Sequence, residues 1–268
     1  MMKKEYINKG ICIWCLKGKP DGKTFKNRPH IITRQVGNTN VGFDICDECN
    51  FYFGTSGKID QFTVSPEIAF AEIVNSINFL AKPSKNELSY LELQAKYFRY
   101  YHATGILELK KAFQVRPNFV KDFTRQFKRG IYEAFLQEYH FITTQGLDSA
   151  FKKVRNFARW NMGDLPVYFL KINSNPSPTI KPTWPAPILT EHSLAHINEF
   201  GFCQLEVPGY IFFLEATPNA ASTRNSYLKK EYQKLAVSKM SVGKIMRMDT
   251  IIGLGFTRRT LTPKIRRS

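Results

Sequence analysis

The sequence predicts an α+β fold: a small cysteine-stapled module at the N-terminus, then a mainly helical region with strands towards the C-terminus. Three observations carry that expectation. Residues 12–54 hold two C-x-x-C pairs, CIWC and CDEC, around an extended run broken by Gly37-Asn38. Residues 121–160 place apolar side chains at helical spacing. Residues 166–172 and 200–216 are aromatic and aliphatic runs of strand length, the second interrupted by Pro208-Gly209, a hairpin signal. These give a module over residues 1–62 and a larger region over 63–268.

Within the module, Gly10, Gly18, Pro20 and Gly22 put the first cysteine pair on a turn. Lys23 to Ile32 reads as a hairpin strand ending near His30, and Asp47 to Phe53 looks helical. Thiolates two residues apart on a tight knuckle aim both sulfurs at one point. A single pair also suits redox chemistry, whereas the doubled pair reads as a structural zinc site of Cys12, Cys15, Cys46 and Cys49. So short a segment has little core of its own. Structural zinc contributes roughly 10–16 kcal/mol of apparent binding energy to folding, which makes the cysteines obligatory.

Further along, Ser65 is the expected N-cap of a helix to Leu80, with Pro66 at its first position and Ile68, Ala71, Val74 and Ile77 as its buried stripe. Tyr90 to Tyr101 and Ile106 to Val115 are aromatic-rich and ambiguous between strand and helix. Lys121 to Thr143 is predicted as a long amphipathic helix burying Phe127, Ile131, Phe135, Leu136 and Tyr139. Gly146 ends it, and Asp148 or Ser149 caps a second helix through Trp160 that buries Phe151, Val154, Phe157 and Ala158. The other side of this pair carries Arg125, Lys128, Arg129, Lys152, Lys153, Arg155 and Arg159, expected to contact phosphates. Residues 173–188, rich in proline, serine and asparagine, read as a linker. Cys203 is expected to face a core. His192 and His196 share helical i, i+4 spacing, but no glutamate lies between them, so they are expected as surface or core residues. His102 and His140, among aromatics, are expected to pack. The sequence from Ser222 onward is strongly basic.

With 268 residues and 43% hydrophobic content, the chain can build a sizeable core. Its formal charge of +17 calls for an anionic partner, most simply nucleic acid. Five cysteines, four of them paired closely, favour a metal in a reducing compartment over disulfides. Neither a secretory leader nor a span of ~20 apolar residues is seen, so a cytoplasmic protein without membrane contact is expected.

The string C-x-x-C, HII, GN, C-x-x-CN-x-x-FG resembles the HNH endonucleases, specifically their zinc-knuckle branch, over residues 12–54. The resemblance implies a zinc-stapled ββα-metal module that hydrolyses DNA phosphodiester bonds. It implies His30 as the general base, Asn38 (or Asn40) as the group that orients it, and Asn50 as a ligand to a catalytic magnesium or manganese ion. The zinc would be structural. One departure is Pro29, where many members of that family carry an acidic or histidine metal ligand. Asp44, Glu48, Asp60 or a substrate phosphate would then complete the shell. The downstream region is expected to govern when or where the module cuts, by sensing a signal, forming a homodimer or contacting a regulatory partner, and in bacteria the layout suits defence against phage or mobile elements. Two alternatives remain open: a zinc protein that binds nucleic acid without chemistry, and a nuclease acting on RNA.

Overall fold

A computed structural model describes residues 4–31, 36, 40–81, 95–101, 106–172, 189–237 and 243–255. Asn38, His102, the 173–188 linker and the basic C-terminal stretch beyond Gly255 lie outside the described residues. The chain mixes helix and sheet, as the patterning predicts. The first helix, α1, spans Asp47–Thr55. A two-residue hairpin, β1 (Lys58–Ile59) with β2 (Phe62–Thr63), leads to α2 (Pro66–Ala81). Ser65 caps α2 as expected, its Oγ accepting the Ile68 N–H at 3.2 Å. Ala71, Val74 and Ile77 are buried, and Ile68 packs on the core edge.

The ambiguous aromatic segment forms β3 (Phe98–Tyr101) and β4 (Ile106–Leu109), antiparallel with Phe98 opposite Leu109. A short helix, α3 (Lys111–Gln114), follows. Tyr97 and Phe98 are buried against Phe123 of the next helix, so tertiary packing decides what periodicity left open.

That next helix, α4 (Pro117–Thr143), is the axis of the molecule. Pro117 starts it where an N–H would be unpaired anyway, and Thr144, at φ 59°, ends it with its N–H on the His140 carbonyl. The predicted apolar face is buried, but so is every other residue from Phe127 to His140. The expectation of a basic, phosphate-facing side is therefore corrected at four positions. Lys128, Arg129, Arg155 and Arg159 are only 6%, 2%, 4% and 5% exposed. Arg129 donates through Nε and Nη2 to the Ala158 carbonyl, at 3.0 and 2.8 Å. Arg155 donates to the Gly146 and Asp148 carbonyls at 2.9 and 2.7 Å, and Lys128 pairs with Asp164 at 2.6 Å. Helical periodicity marks one apolar stripe, but the central stretch of α4 is enclosed on all sides, so its polar positions had to find internal partners. Of the predicted set, Lys152 and Lys153 are exposed.

Gly130 is where α2 crosses α4. A Cβ there would meet the Pro66 carbonyl oxygen and lie 2.8 Å from Phe70 Cβ. Beyond α4, Asp148 caps a 3-10 turn that runs into α5 (Lys152–Ala158), its Oδ1 accepting the Ala150 N–H at 2.8 Å. Phe151, Val154, Phe157 and Ala158 are buried as expected.

The strands β5 (Val167–Lys171), β6 (Phe202–Val207), β7 (Tyr210–Glu215) and β8 (Met246–Arg247) form one antiparallel sheet in the order β6-β7-β5-β8. Pro208 and Gly209, the latter at φ 81°, make the tight β6–β7 turn that pairs Val207 with Tyr210. Alternation sends Val167, Phe169, Cys203 and Phe212 into the core shared with α4, Phe127 meeting Phe212 at 5.9 Å between ring centroids. Tyr168, Leu170, Phe202 and Phe213 face the opposite way, towards Tyr227, which stacks on Phe202 at 4.5 Å. That side is covered by α6 (Glu191–Phe200) and α7 (Ala220–Val237), the second of which begins the region read only as basic. His196 is buried, its Nδ1 3.1 Å from the Tyr227 hydroxyl. Among the described residues, no helix is long and apolar enough to cross a membrane.

Two carboxyls meet where α2 packs on α4. Burial pushes Glu67 up from 4.5 to about 7, and burial reinforced by Glu67 holds Glu133 well above its ordinary value. An acid whose folded pKa is raised costs stability as pH climbs from the unfolded to the folded value. Glu67→Gln should therefore flatten the decline in melting temperature between about pH 4.5 and 7, read by calorimetry. Gly130→Ala should destabilise by about 1–3 kcal/mol through overpacking, measured by urea unfolding.

Candidate metal centre and its surroundings

The first cysteine pair sits on a tight loop. The Cys12 N–H bonds the Lys17 carbonyl, the Leu16 N–H bonds the Cys12 carbonyl at 2.8 Å, and Leu16 takes a positive φ of 57°. The second pair straddles a helix start: Cys46 is the N-cap of α1, and Cys49 lies in its first turn. All four sulfurs lie within 4.8 Å of one another, so Cys12, Cys15, Cys46 and Cys49 can hold a structural metal such as zinc. The Cys15 and Cys46 sulfurs are 3.8 Å apart. Tetrahedral zinc with bonds of about 2.3 Å needs sulfurs about 3.8 Å apart, which fits. Trp14 and Phe53, centroids 4.7 Å apart, are buried alongside and keep this corner dry.

Without a cation the four thiols compete for charge. Hydrogen bonding to Cys12 pulls Cys15 far down and Cys46 to about 7, whereas hydrogen bonds from neighbouring sulfurs push Cys12 and Cys49 up. A divalent ion resolves the conflict by stabilising all four as thiolates.

Two contacts that spacing does not reveal complete this centre. The Arg159 Nε donates to Cys49 Sγ at 3.2 Å, while its Nη2 reaches Glu48 at 3.3 Å and its guanidinium lies 3.9 Å from the Tyr52 ring centre. A residue beyond α5 thus supports a metal ligand on α1. Asp44, fully buried at φ 58°, accepts the N–H groups of Asn8, Lys9 and Gly10 through Oδ1 at 2.9–3.0 Å. Its Oδ2 lies 3.1 Å from His140 Nε2. Because His140 Nδ1 accepts the Gly146 N–H, Nε2 carries the proton and donates to Asp44. Although burial opposes it, the hydrogen bonds from His140 and the backbone hold the Asp44 carboxyl below its ordinary value. This pair fastens the loop beside the metal centre to the end of α4. The only sequence signal for it was a histidine among aromatics, which suggested packing alone.

The strand expected over Lys23 to Ile32 is not formed among the described residues: His30 is half-buried and joined to Val41 by an isolated bridge. Ile31 N–H bonds the Asn40 carbonyl at 3.3 Å and Gly42 N–H the Pro29 carbonyl at 3.0 Å. Asn50 is in the first turn of α1, its N–H on the Cys46 carbonyl at 2.9 Å. Asp47 joins the two elements: its carboxylate accepts the N–H groups of Lys26 and Asn27 at 2.9 and 2.7 Å and the Thr24 hydroxyl at 2.6 Å. The segment leading to His30 is thereby pinned on the helix that carries Asn50. A groove of about 460 Å³ runs beside the hairpin, lined by Lys4, Tyr6, Arg28, Val41 and Phe43 among others.

The carboxylates proposed to replace the ligand missing at Pro29 are already engaged. Asp44 is saturated, Glu48 pairs with Lys23 and Arg159, and Asp60 pairs with Arg116 at 3.1 Å. The described residues therefore fit a structural metal on sulfur fully and a second, oxygen-bound cation only in part. No family model, curated protein or solved structure matches the chain.

The purified chain should carry zinc in equal stoichiometry, and Cys49→Ser should abolish it, as metal analysis would show. Arg159→Ala should leave the metal bound but weaken zinc affinity about 10- to 100-fold, measured by competition with a chromophoric chelator.

Proposed function

We propose that the chain is a divalent-cation-dependent endonuclease of the HNH type, acting on DNA phosphodiester bonds. The observation that carries this reading is the shared anchorage of two elements. The segment bearing His30 and the helix bearing Asn50 both lie between or upon the cysteine knuckles, and Asp47 ties one to the other. The order C-x-x-C, hairpin, C-x-x-C helix is the order that the HNH resemblance implies.

In this reading His30 takes the proton of the attacking water, a task suited to an imidazole whose unperturbed pKa is about 6.5. Asn38, or Asn40 across the hairpin from Ile31, orients its ring. A bound magnesium or manganese ion would stabilise charge on the scissile phosphate and leaving oxygen. Asn50 and substrate oxygens would be its donors, since Asp44 is spent on backbone amides and His140. Phosphates would be gripped by Lys4, Lys9, Lys17, Lys26 and Arg28, exposed cations on the module itself, instead of the arginines enclosed around α4.

The incomplete oxygen shell behind Pro29 favours one competing reading, a zinc-stapled nucleic-acid platform without chemistry. Plasmid nicking separates them. With magnesium or manganese present, zinc-loaded protein should relax supercoiled plasmid. His30→Ala should reduce the rate by at least about 100-fold while leaving zinc content unchanged. Binding without cutting, under either metal, would instead favour the platform; cleavage of RNA alone would redirect the substrate.

A further inference from the structure

A cavity of about 480 Å³ opens where α5 and the turn after it meet the end of β7 and the start of α7. That is the size of a small-molecule site. None of its lining residues belongs to the cysteine-stapled module.

The charged groups on its wall fall into two sets. Both carboxylates already have partners. Asp164 pairs with Lys128 at 2.6 Å and with Arg247 at 3.5 Å. Glu215, only 8% exposed, accepts the Tyr168 hydroxyl at 3.2 Å and Arg224 Nε at 2.6 Å. The two cations, by contrast, keep donors to spare. Among the described residues Lys153 has no acidic partner, and Arg224 makes no hydrogen bond through its Nη groups. Glu215 thus holds the guanidinium by Nε and leaves the rest of the fork for a ligand. Counting Lys128 and Arg247, four cations meet two carboxylates, so the cavity is net positive.

The rest of the wall suits a flat, partly apolar body. Phe157 and Leu165 line it as buried side chains, Met162 lines it at 60% exposure, and Asn156 offers an amide that both donates and accepts. These walls are fixed in advance. Arg125 bonds the Asn161 and Gly163 carbonyls at 3.0 and 2.7 Å. The Tyr132 hydroxyl accepts the Glu215 N–H at 3.0 Å and donates to the Pro166 carbonyl at 2.8 Å, which joins β7 to the turn. A seat built before its ligand arrives loses less ordering entropy on binding.

We propose that this cavity binds a phosphate monoester carried on a small ring-bearing body, with Arg224 and Lys153 as the cations that meet the phosphate. Such a group carries about −1.5 to −2 charge at pH 7 and three acceptor oxygens, which suits a lysine with an arginine fork. A nucleoside monophosphate and the phosphorylated end of a nucleic-acid strand present this same chemistry. The site goes beyond the nuclease reading and stands whether or not the chain cuts.

Isothermal titration calorimetry on the full zinc-loaded chain, without added magnesium or manganese, is the test. The probes are adenosine monophosphate, adenosine, and oligothymidylates with and without a terminal phosphate. Adenosine monophosphate should bind at least about tenfold tighter than adenosine. Lys153→Ala and Arg224→Gln should each weaken it about tenfold. Lys229→Ala, which removes an exposed charge from α7 outside the cavity, should leave it unchanged. Melting temperature checks folding, and because Arg224 also holds Glu215, Lys153→Ala decides the matter if Arg224→Gln melts early. Displacement of adenosine monophosphate by the phosphorylated strand alone assigns the seat to strand ends; displacement by neither strand assigns it to the free nucleotide. Displacement by both strands alike would reveal only general charge attraction and overturn the site. So would equal affinity for adenosine and its monophosphate, a loss that Lys229→Ala reproduces, or no binding of any probe.

Discussion

Four sulfurs packed within 4.8 Å of one another are the constraint on which the N-terminal part of the structure depends. Thiols so close cannot all ionise unaided, and thiols that stay protonated hold nothing together. A divalent cation held there would turn that repulsion into a clamp joining the loop at Cys12 to the start of α1. The segment leading to His30 is fastened by Asp47 to the helix that Cys46 caps. The clamp is also supported from outside the module, because Arg159 bonds Cys49 from beyond α5, 110 residues along the chain.

The second organising feature is α4, whose central stretch from Phe127 to His140 is enclosed. A helix in that position cannot leave its charged residues to solvent, and each finds a local partner. Lys128 takes Asp164, Arg129 takes the end of α5 and the Tyr52 hydroxyl, and His140 takes Asp44. Partnered this way, buried charges contribute little net stability, but losing one partner strands the other. They act as registration pins: the module, α5 and the sheet are each located against α4 by at least one polar contact as well as by apolar packing.

What the sequence made legible follows from how locally each feature is determined. Cysteine spacing fixes a knuckle within four residues, Ser65-Pro66 fixes a helix start, and Pro208-Gly209 fixes a turn; all three are observed. The apolar stripes of α2, α4 and α5 were readable for the same reason. What was not legible depends on distant partners. Periodicity identified which side of α4 is apolar, yet said nothing about α5 and the module covering the other side, so four cations expected to contact phosphates are internal. Asp44 and His140, separated by 96 residues, carry no mutual signal in a single sequence. The strands β3 and β4 were ambiguous because aromatic residues suit either state until a neighbour such as Phe123 is present.

The enclosed cations also change what the net charge of +17 means. Ionic-strength dependence of nucleic-acid association counts the cations that release condensed counterions from phosphates, with a slope of about −0.9 per contact on duplex DNA. Guanidinium groups committed to carbonyl oxygens, like those of Arg129 and Arg155, release none. The phosphate contacts open to this molecule are therefore fewer than its composition advertises, and they are set by the cations that stand in water, Lys26 and Arg28 among them.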